Sequence, residues 1–252
     1  MKLGLIGAGN MASALARGLG EPLLVSDVDR ERARALAGEV GGEEASSNAE
    51  LAERADVVVL CHKPKQLEEV ATEVAGRARV VVSILAATTT ESIEAAYPGV
   101  PVYRFIPSIP AEVRMGVLCY SPGKLAADGP EDEILALFGR LGTIIPLAEP
   151  LIEPAMALMS CGPAFMALVV DAFADAGAAH GLPPADATRM TVETMAGTAA
   201  YLAQHDNDAG ALRARVATPG GTTERGLIAL EEKGLRQACH AAVDAVVEAA
   251  RR

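Results

Sequence analysis

Leu3-Gly4-Leu5-Ile6-Gly7-Ala8-Gly9-Asn10-Met11-Ala12 is the stretch on which the fold of this chain turns. Its apolar opening is short enough for a buried strand, and the residues after Asn10 take up helical spacing. Between them runs a Gly-x-Gly-x-x-Ala pattern. Gly7 makes the tight turn, Gly9 lets a pyrophosphate approach the backbone, and Ala12 keeps the helix close to the strand. Alone the pattern is weak. Set between strand and helix in a βαβ unit, it points to dinucleotide binding.

Outward from this turn, the first half alternates short β-branched runs with helical stretches. Strands are expected at Leu3–Ile6, Leu23–Ser26, Val57–Leu60, Val80–Ile84 and Val102–Ile106, and helices at Met11–Leu19, Arg30–Ala37, Ala49–Arg54 and Lys65–Ala75. Nearly continuous apolar strands of this kind are buried on both faces of a parallel sheet. A strand at Val117–Tyr120, a helix at Glu131–Leu141 and a strand at Thr143–Pro146 extend the group. Beyond Glu149 the pattern changes to helices alone: Leu151–Met159, Pro163–His180, Pro184–Gln204, Gly210–Val216, Thr223–Glu232 and Leu235–Ala250. Gly181-Leu182-Pro183-Pro184 stops one of these and opens the next. The expected architecture is α/β: a Rossmann-type, doubly wound, mostly parallel sheet in residues 1–148 and an all-helical domain in residues 149–252. The helical half is more apolar than it can hide alone, and the excess predicts packing against another subunit.

Composition narrows the function. The chain has 252 residues, 50% of them hydrophobic, enough for a substantial core. A net charge of -11 argues against nucleic acid, whose phosphates need clustered Lys and Arg, and favours a small-molecule partner. Cys61, Cys119, Cys161 and Cys239 are scattered, with no Cys-x-x-Cys and no close Cys/His spacing, so no metal is expected and the thiols read as small apolar fillers. Met1-Lys2 followed by an apolar run and Ala12-Ser13-Ala14 imitates a signal peptide, but Gly7, Gly9 and Asn10 interrupt it. The most apolar segment, Ala164–Ala179, carries Asp171 and Asp175 on one helical face, too polar for a lipid-spanning helix. A cytoplasmic protein without a membrane partner is expected.

Three further segments carry chemistry. Ser26-Asp27-Val28-Asp29-Arg30 lies where a ribose-recognising acid belongs. Asp27 would accept from both hydroxyls of an adenosine ribose and repel a 2′-phosphate, whereas Ser26 and Arg30 could hold that phosphate, so NADH and NADPH both stay open. Asp27 and Asp29 also suit a solvated turn before a helix. After the Val57–Leu60 strand comes Cys61-His62-Lys63-Pro64, where Lys63 is placed to reach phosphate or ribose, although a solvated lysine fits as well. His62 has the pKa range of a proton donor, but a lone histidine is more often structural. Last, Thr218-Pro219-Gly220-Gly221-Thr222-Thr223 has no bulky side chain and precedes a helix expected to begin near Glu224. Its N–H groups and hydroxyls suit a carboxylate or phosphate, with the threonines capping the helix; an ordinary cap is the other reading.

Together these landmarks resemble the pyrroline-5-carboxylate reductase family over nearly the whole chain. The resemblance rests on Ile6-Gly7-Ala8-Gly9-Asn10-Met11-Ala12, Asn48 eight residues before Asp56, Lys63-Pro64, Gly162-Pro163-Ala164 leading into Asp171 to Gly177, and Gly181-Leu182-Pro183. Most specific is Thr218-Pro219-Gly220-Gly221-Thr222-Thr223, where members usually begin with Ser. The resemblance implies an oxidoreductase that passes hydride from NADPH or NADH to the imine of 1-pyrroline-5-carboxylate, giving L-proline in the last step of proline biosynthesis. It also implies a helical domain that interlocks with a second subunit in a homodimer or higher homo-oligomer, completing the active site. Gly7, Gly9, Asn10 and Met11 would hold the pyrophosphate. Ser26 and Asn48 would lie at the adenosine end, where the position of Asp27 already points, and Lys63, Pro64, Ala86 and Ala87 near the nicotinamide ribose. Thr218, Gly220, Gly221, Thr222 and Thr223 would bind the carboxylate of the cyclic imino acid, and the Thr223 hydroxyl would approach the ring nitrogen as the catalytic group. An imine is already electrophilic, so orientation is the main requirement and no paired carboxylates are needed.

The chain departs from the family at several places. Met159-Ser160-Cys161 stands for Ser-Gly-Ser, Ile106-Pro107-Ser108-Ile109-Pro110 for Met-Pro-Asn-Thr-Pro, Leu85-Ala86-Ala87 for Ala-Ala-Gly, and Ala214 for a common aspartate. These leave room for a reductase-like regulatory protein with impaired catalysis. A β-hydroxyacid dehydrogenase-like enzyme shares the two-domain plan, but its alcohol chemistry needs a lysine base, and none occurs between Lys124 and Lys233.

Overall fold

In the computed structural model, which describes residues 1–250, eight strands form a single sheet. They are β1 (Leu3–Ile6), β2 (Leu24–Ser26), β3 (Glu43–Glu44), β4 (Val57–Leu60), β5 (Val81–Ser83), β6 (Val102–Pro107), β7 (Gly116–Pro122) and β8 (Gly142–Pro146), in the spatial order β3-β2-β1-β4-β5-β6-β7-β8. All neighbours pair parallel except β6 and β7. The helices of this part are α1 (Asn10–Leu19), α2 (Arg30–Glu39), α3 (Asn48–Arg54), α4 (Leu67–Glu73), α5 (Thr90–Ala96), α6 (Glu131–Gly139) and α7 (Ile152–Met159). The chain leaves β1 toward β2 and β3, then returns to β4 on its other side. That reversal makes the carboxyl ends of β1 and β4 the topological switch point, where open α/β sheets bind ligands.

Both faces of the sheet are covered. On one, Leu3, Leu5, Val57 and Val59 pack with Leu15 and Leu19 of α1 and Phe138 of α6; on the other, Val58 and Leu60 pack with Leu51 of α3, Val70 of α4 and Ile93 of α5. Phe105 stacks on Phe138 at 4.5 Å and on Tyr120 at 4.8 Å between ring centroids. Aromatic pairs of this kind each add about 0.5–1.5 kcal/mol beyond area burial.

Two elements of this part depart from the sequence expectation by their presence. β3 consists of two glutamates with no apolar pattern. It forms because the edge of β2 leaves backbone groups to satisfy: Glu43 N donates to Leu23 O at 2.9 Å and Ala45 N to Val25 O at 2.8 Å. Arginines hold both carboxylates, Arg54 at Glu43 and Arg30 (2.7 Å) and Arg34 (3.0 Å) at Glu44. α5 lacks an apolar stripe, burying only Thr90 and Ile93, and its start is set by Thr89, whose hydroxyl caps Ser92 N at 3.1 Å. The expected Lys65–Ala75 helix is split, with a 3-10 turn at Pro64–Gln66 preceding α4.

Packing divides the described residues into two compact units, 1–163 with 247–250, and Ala164–Val246. Strands stop before residue 148, as expected, yet α7 packs on the sheet: Ile152 and Met159 join Ile106 and Cys119 in a buried cluster. Just before α7, the Glu149 carboxylate accepts from Arg104 Nη1, from Thr90 N (3.0 Å) and from Thr90 Oγ1 (2.6 Å). The Arg104 side chain is only 4% exposed. Burial pushes the Glu149 carboxyl up, but the Thr90 hydrogen bonds and the Arg104 charge outweigh it and hold the group below its usual range.

The second unit contains most of α8 (Gly162–Ala179), α9 (Pro184–Ala203), α10 (Ala209–Val216), α11 (Thr222–Glu232) and most of α12 (Leu235–Ala250). Among its residues only Ala174 and Ala187 are buried, while Met166, Leu168, Phe173, Met190 and Val192 are exposed. The Glu149–Ala179 stretch is apolar enough to cross a membrane by length and composition (mean hydropathy 1.7). It is nevertheless broken at Ser160-Cys161, and Asp171 and Asp175 stand exposed on it.

Candidate active site

The turn after β1 sits against the turn after β4. Gly7 has φ +109, its N donates to Ser26 O at 2.7 Å, and a Cβ there would lie 2.7 Å from the Cys61 carbonyl. Only glycine fits that approach. Gly9 is the N-cap of α1 with no side-chain cap, and a Cβ on it would meet nothing within 4 Å. Open space before a helix N-terminus with uncapped N–H groups has the form and polarity of a pyrophosphate site.

A cavity of roughly 250 Å³ brings together Gly7, Gly9, Asp27, Asn48 and Lys63 from the expected cofactor set. A second hollow is lined by Ser26, Asp27, Asn48 and Glu73. Asn10 and Met11 open α1, Pro64 opens the 3-10 turn, and Ala86 and Ala87 lie in the β5–α5 loop; none of these five lines the cavity. Asp27 is more than a solvated turn residue. Its Oδ2 accepts from Ala8 N at 2.7 Å and its Oδ1 from Asp29 N at 2.8 Å. Asp29 takes the capping role, accepting from Glu31 N and Arg32 N at the start of α2.

Seven lining residues were not among the expected site residues: Ile6, Val28, Arg32, Cys61, His62, Gln66 and Val70. His62 is the informative one. Its Nδ1 lies 2.9 Å from Lys63 O, a pure acceptor, so Nδ1 carries the proton. Burial pushes its pKa down, which keeps the ring neutral and leaves Nε2 as an acceptor. Nε2 is buried and has no partner among the described residues. The sequence signal was position alone, a histidine immediately after a strand at the switch point. Neighbouring Cys61 is inert by contrast, since burial pushes its thiol pKa up.

The β5–α5 loop holds a non-glycine residue in left-handed backbone: Ala87 has φ +51. That conformation costs an L-residue about 1–2 kcal/mol. Ala87→Gly is therefore expected to stabilise the protein by up to about 1 kcal/mol after the added chain entropy of glycine. A rise in the urea midpoint at unchanged slope checks it; a fall would show that the alanine methyl matters more than the strain.

In the helical unit, the Thr218–Thr223 segment turns at Gly220 (φ +74). The expectation that the threonines cap a helix starting near Glu224 is corrected. α11 begins at Thr222, Gly221 is its N-cap, and no side chain caps it, so Thr222 and Thr223 are its first two residues. The Gly220 N–H points at a carboxylate already, that of Glu224 at 2.7 Å. The segment thus binds an anion of its own, and Thr218, Thr222 and Thr223 are exposed around it.

Comparison with known proteins points to one family. Residues 149–252 match the family model "Pyrroline-5-carboxylate reductase dimerisation", and residues 2–87 match "NADP oxidoreductase coenzyme F420-dependent". A curated pyrroline-5-carboxylate reductase from Synechocystis is 31% identical over 97% of this chain and 95% of its own length. The chain belongs to the pyrroline-5-carboxylate reductase family. Solved reductases of the family superpose closely. The Streptococcus pyogenes enzyme does so with TM-score 0.90 at 26% identity over 99% of this chain and 98% of its own. The Plasmodium falciparum enzyme, solved with NADP bound, gives 0.89 at 25% over 99% and 97%. A 3-hydroxyisobutyrate dehydrogenase from Mycobacterium tuberculosis reaches 0.53 at 18% identity over 69% of this chain and 63% of its own, a likeness of fold alone.

Proposed function

We propose that the protein reduces the imine of 1-pyrroline-5-carboxylate to L-proline with hydride from a reduced nicotinamide dinucleotide. The observation that carries this reading is the uncapped N-terminus of α1 at Gly9, opening on the cavity that Asp27, Asn48 and Lys63 line, in a chain whose relatives along almost its entire length are reductases of this imine. Bound there, the dinucleotide supplies the hydride. The protein's part is to hold the pyrophosphate at Gly7, Gly9, Asn10 and Met11, the adenosine end at Ser26, Asp27 and Asn48, and the nicotinamide ribose at Lys63, Pro64, Ala86 and Ala87. In the helical unit, Thr218, Gly220, Gly221, Thr222 and Thr223 receive the substrate carboxylate in place of Glu224. The absence of any lysine between Lys124 and Lys233 fits an imine better than an alcohol, which would need a base.

The test is direct. Purified protein given 1-pyrroline-5-carboxylate should oxidise NADPH or NADH in a substrate-dependent way, read as loss of the reduced-nicotinamide absorbance. Binding of nucleotide without turnover would favour the impaired, regulatory reading that Met159–Cys161 and Ser108–Ile109 leave open. Thr223→Val tests the cradle: it should raise KM for the imine or lower kcat several-fold while leaving nucleotide affinity unchanged, and an unaltered rate removes Thr223 from the site.

The oligomer is read as a homodimer, or a multiple of it, built through the helices of the second unit. The support is the exposed apolar groove that Val169, Phe173, Met190, Met195 and Leu202 line on α8 and α9. A second copy covers this face more plausibly than lipid does, given Asp171 and Asp175 on the same helix. A cytoplasmic location is part of the same proposal.

A further inference from the structure

We propose that the nucleotide pocket selects NADH over NADPH, by setting the fixed Asp27 carboxylate against the adenosine ribose. The inference rests on the reading of this cavity as a dinucleotide site.

Asp27 supplies the first acceptor. The Ala8 and Asp29 N–H groups fix its carboxylate, one to each oxygen, leaving each oxygen a lone pair to accept a ribose hydroxyl. An acid in this position of a dinucleotide fold takes the 2′-hydroxyl, whereas a 2′-phosphate calls for a nearby arginine. At neutral pH such a phosphate carries about -1.5 to -2 charges and offers no proton. Here it would face a carboxylate that cannot swing away without giving up two hydrogen bonds.

Two of the arginines that could neutralise it are paired elsewhere. Arg30 and Arg34 both turn to Glu44, at 2.7 and 3.0 Å, while Arg32, which lines the cavity, keeps only a 3.7 Å contact with the Asp29 carboxylate. Lys63 follows β4, on the opposite side of β1 from β2. The Ser26 hydroxyl donates its proton to Asn48 Oδ1, and the Asn48 amide donates to Glu73 at 2.5 Å. That chain removes the hydroxyl from service as a phosphate ligand and sets a further carboxylate at this end. His62, like Lys63, follows β4 and takes no part in this choice. Ribose hydroxyls are donors that the Asp27 carboxylate can satisfy.

The test is a fluorescence titration of the full-length protein with NADH and, separately, NADPH, alongside kcat/KM for each with 1-pyrroline-5-carboxylate. The wild type should bind NADH tighter by on the order of tenfold or more, the scale of one unfavourable charge contact near a protein surface. Asp27→Asn should shrink that ratio at least several-fold, mainly by tightening NADPH. Glu44→Gln does so from outside the pocket, by releasing Arg30 and Arg34, and it keeps the proposal testable should Asp27→Asn fold poorly. Equal affinities, tighter NADPH, or a ratio that neither variant moves overturns the inference while leaving the reductase reading intact. Selective NADH binding without imine-dependent oxidation supports the selectivity and removes the reductase reading. Binding of neither nucleotide overturns both.

Discussion

Phe173→Asp is expected to abolish association of the protein and, with it, imine reduction. Phe173 stands 51% exposed on α8, in a unit that buries only Ala174 and Ala187 among its residues. A unit with so little interior gains its stability from what covers it. Burying one such aromatic contributes about 1.5–3 kcal/mol, and desolvating a carboxylate in its place costs several more. In a two-fold dimer the change is made twice. The combined loss is at least about 6 kcal/mol, or roughly four orders of magnitude in Kd. Sedimentation at micromolar protein should find monomer where the wild type is expected to associate, with turnover gone and NADH binding to the sheet unit kept. A variant that stays dimeric at full rate would place the interface elsewhere.

Glu149→Ala should be the most destabilising change in the sheet unit, costing about 3–5 kcal/mol, because it leaves the Arg104 charge without its partner. Arg104 has no outlet to solvent and one nitrogen, Nε, already buried without a hydrogen bond. Replacing both together, Arg104→Met with Glu149→Leu, should cost much less, since no buried charge remains. Chemical denaturation of the two variants checks the difference; equal losses would mean that the hydrogen bonds to Thr90, and not the ion pair, carry the effect. The pH dependence follows from the sign of the shift. Glu149 is held below its ordinary pKa in the folded state, so its contribution is present in full above the unfolded value and is lost as pH falls through the folded one. Wild-type stability should therefore decline on acidification below the ordinary glutamate range, and the Glu149→Ala variant should show less of that decline.

The sheet is legible in the sequence wherever apolar runs are continuous. Leu3–Ile6 and Val57–Leu60 fall where expected to the residue, because strands buried on both faces admit nothing but apolar side chains. β3 and α5 were illegible for the opposite reason: one is held by backbone pairing and arginines, the other by a cap and Ile93, and neither needs a pattern. At the site, the glycine turn announces itself because only particular residues can make it. Asp27 was ambiguous, since its role depends on which backbone N–H groups meet its oxygens. His62 was undervalued because a lone histidine has no pattern; its meaning comes from the Lys63 carbonyl on one nitrogen and the lack of a partner on the other. The start of α11 was expected near Glu224 but lies at Thr222, and Gly221, with no hydroxyl to lend, stands at the cap.

The paired glutamates of β3 have a consequence for how copies of this chain can and cannot meet. An open sheet ends in unpaired backbone groups, which invite strand-to-strand polymerisation. Here one margin is two residues long, and each residue carries a carboxylate clamped by arginine. The opposite margin, β8, stops after five residues at Pro146, which has no N–H to give. Neither rim offers a template long enough for runaway growth. Strand pairing between copies is thereby disfavoured at both rims, which suits the proposal that copies meet through side-chain packing between helices.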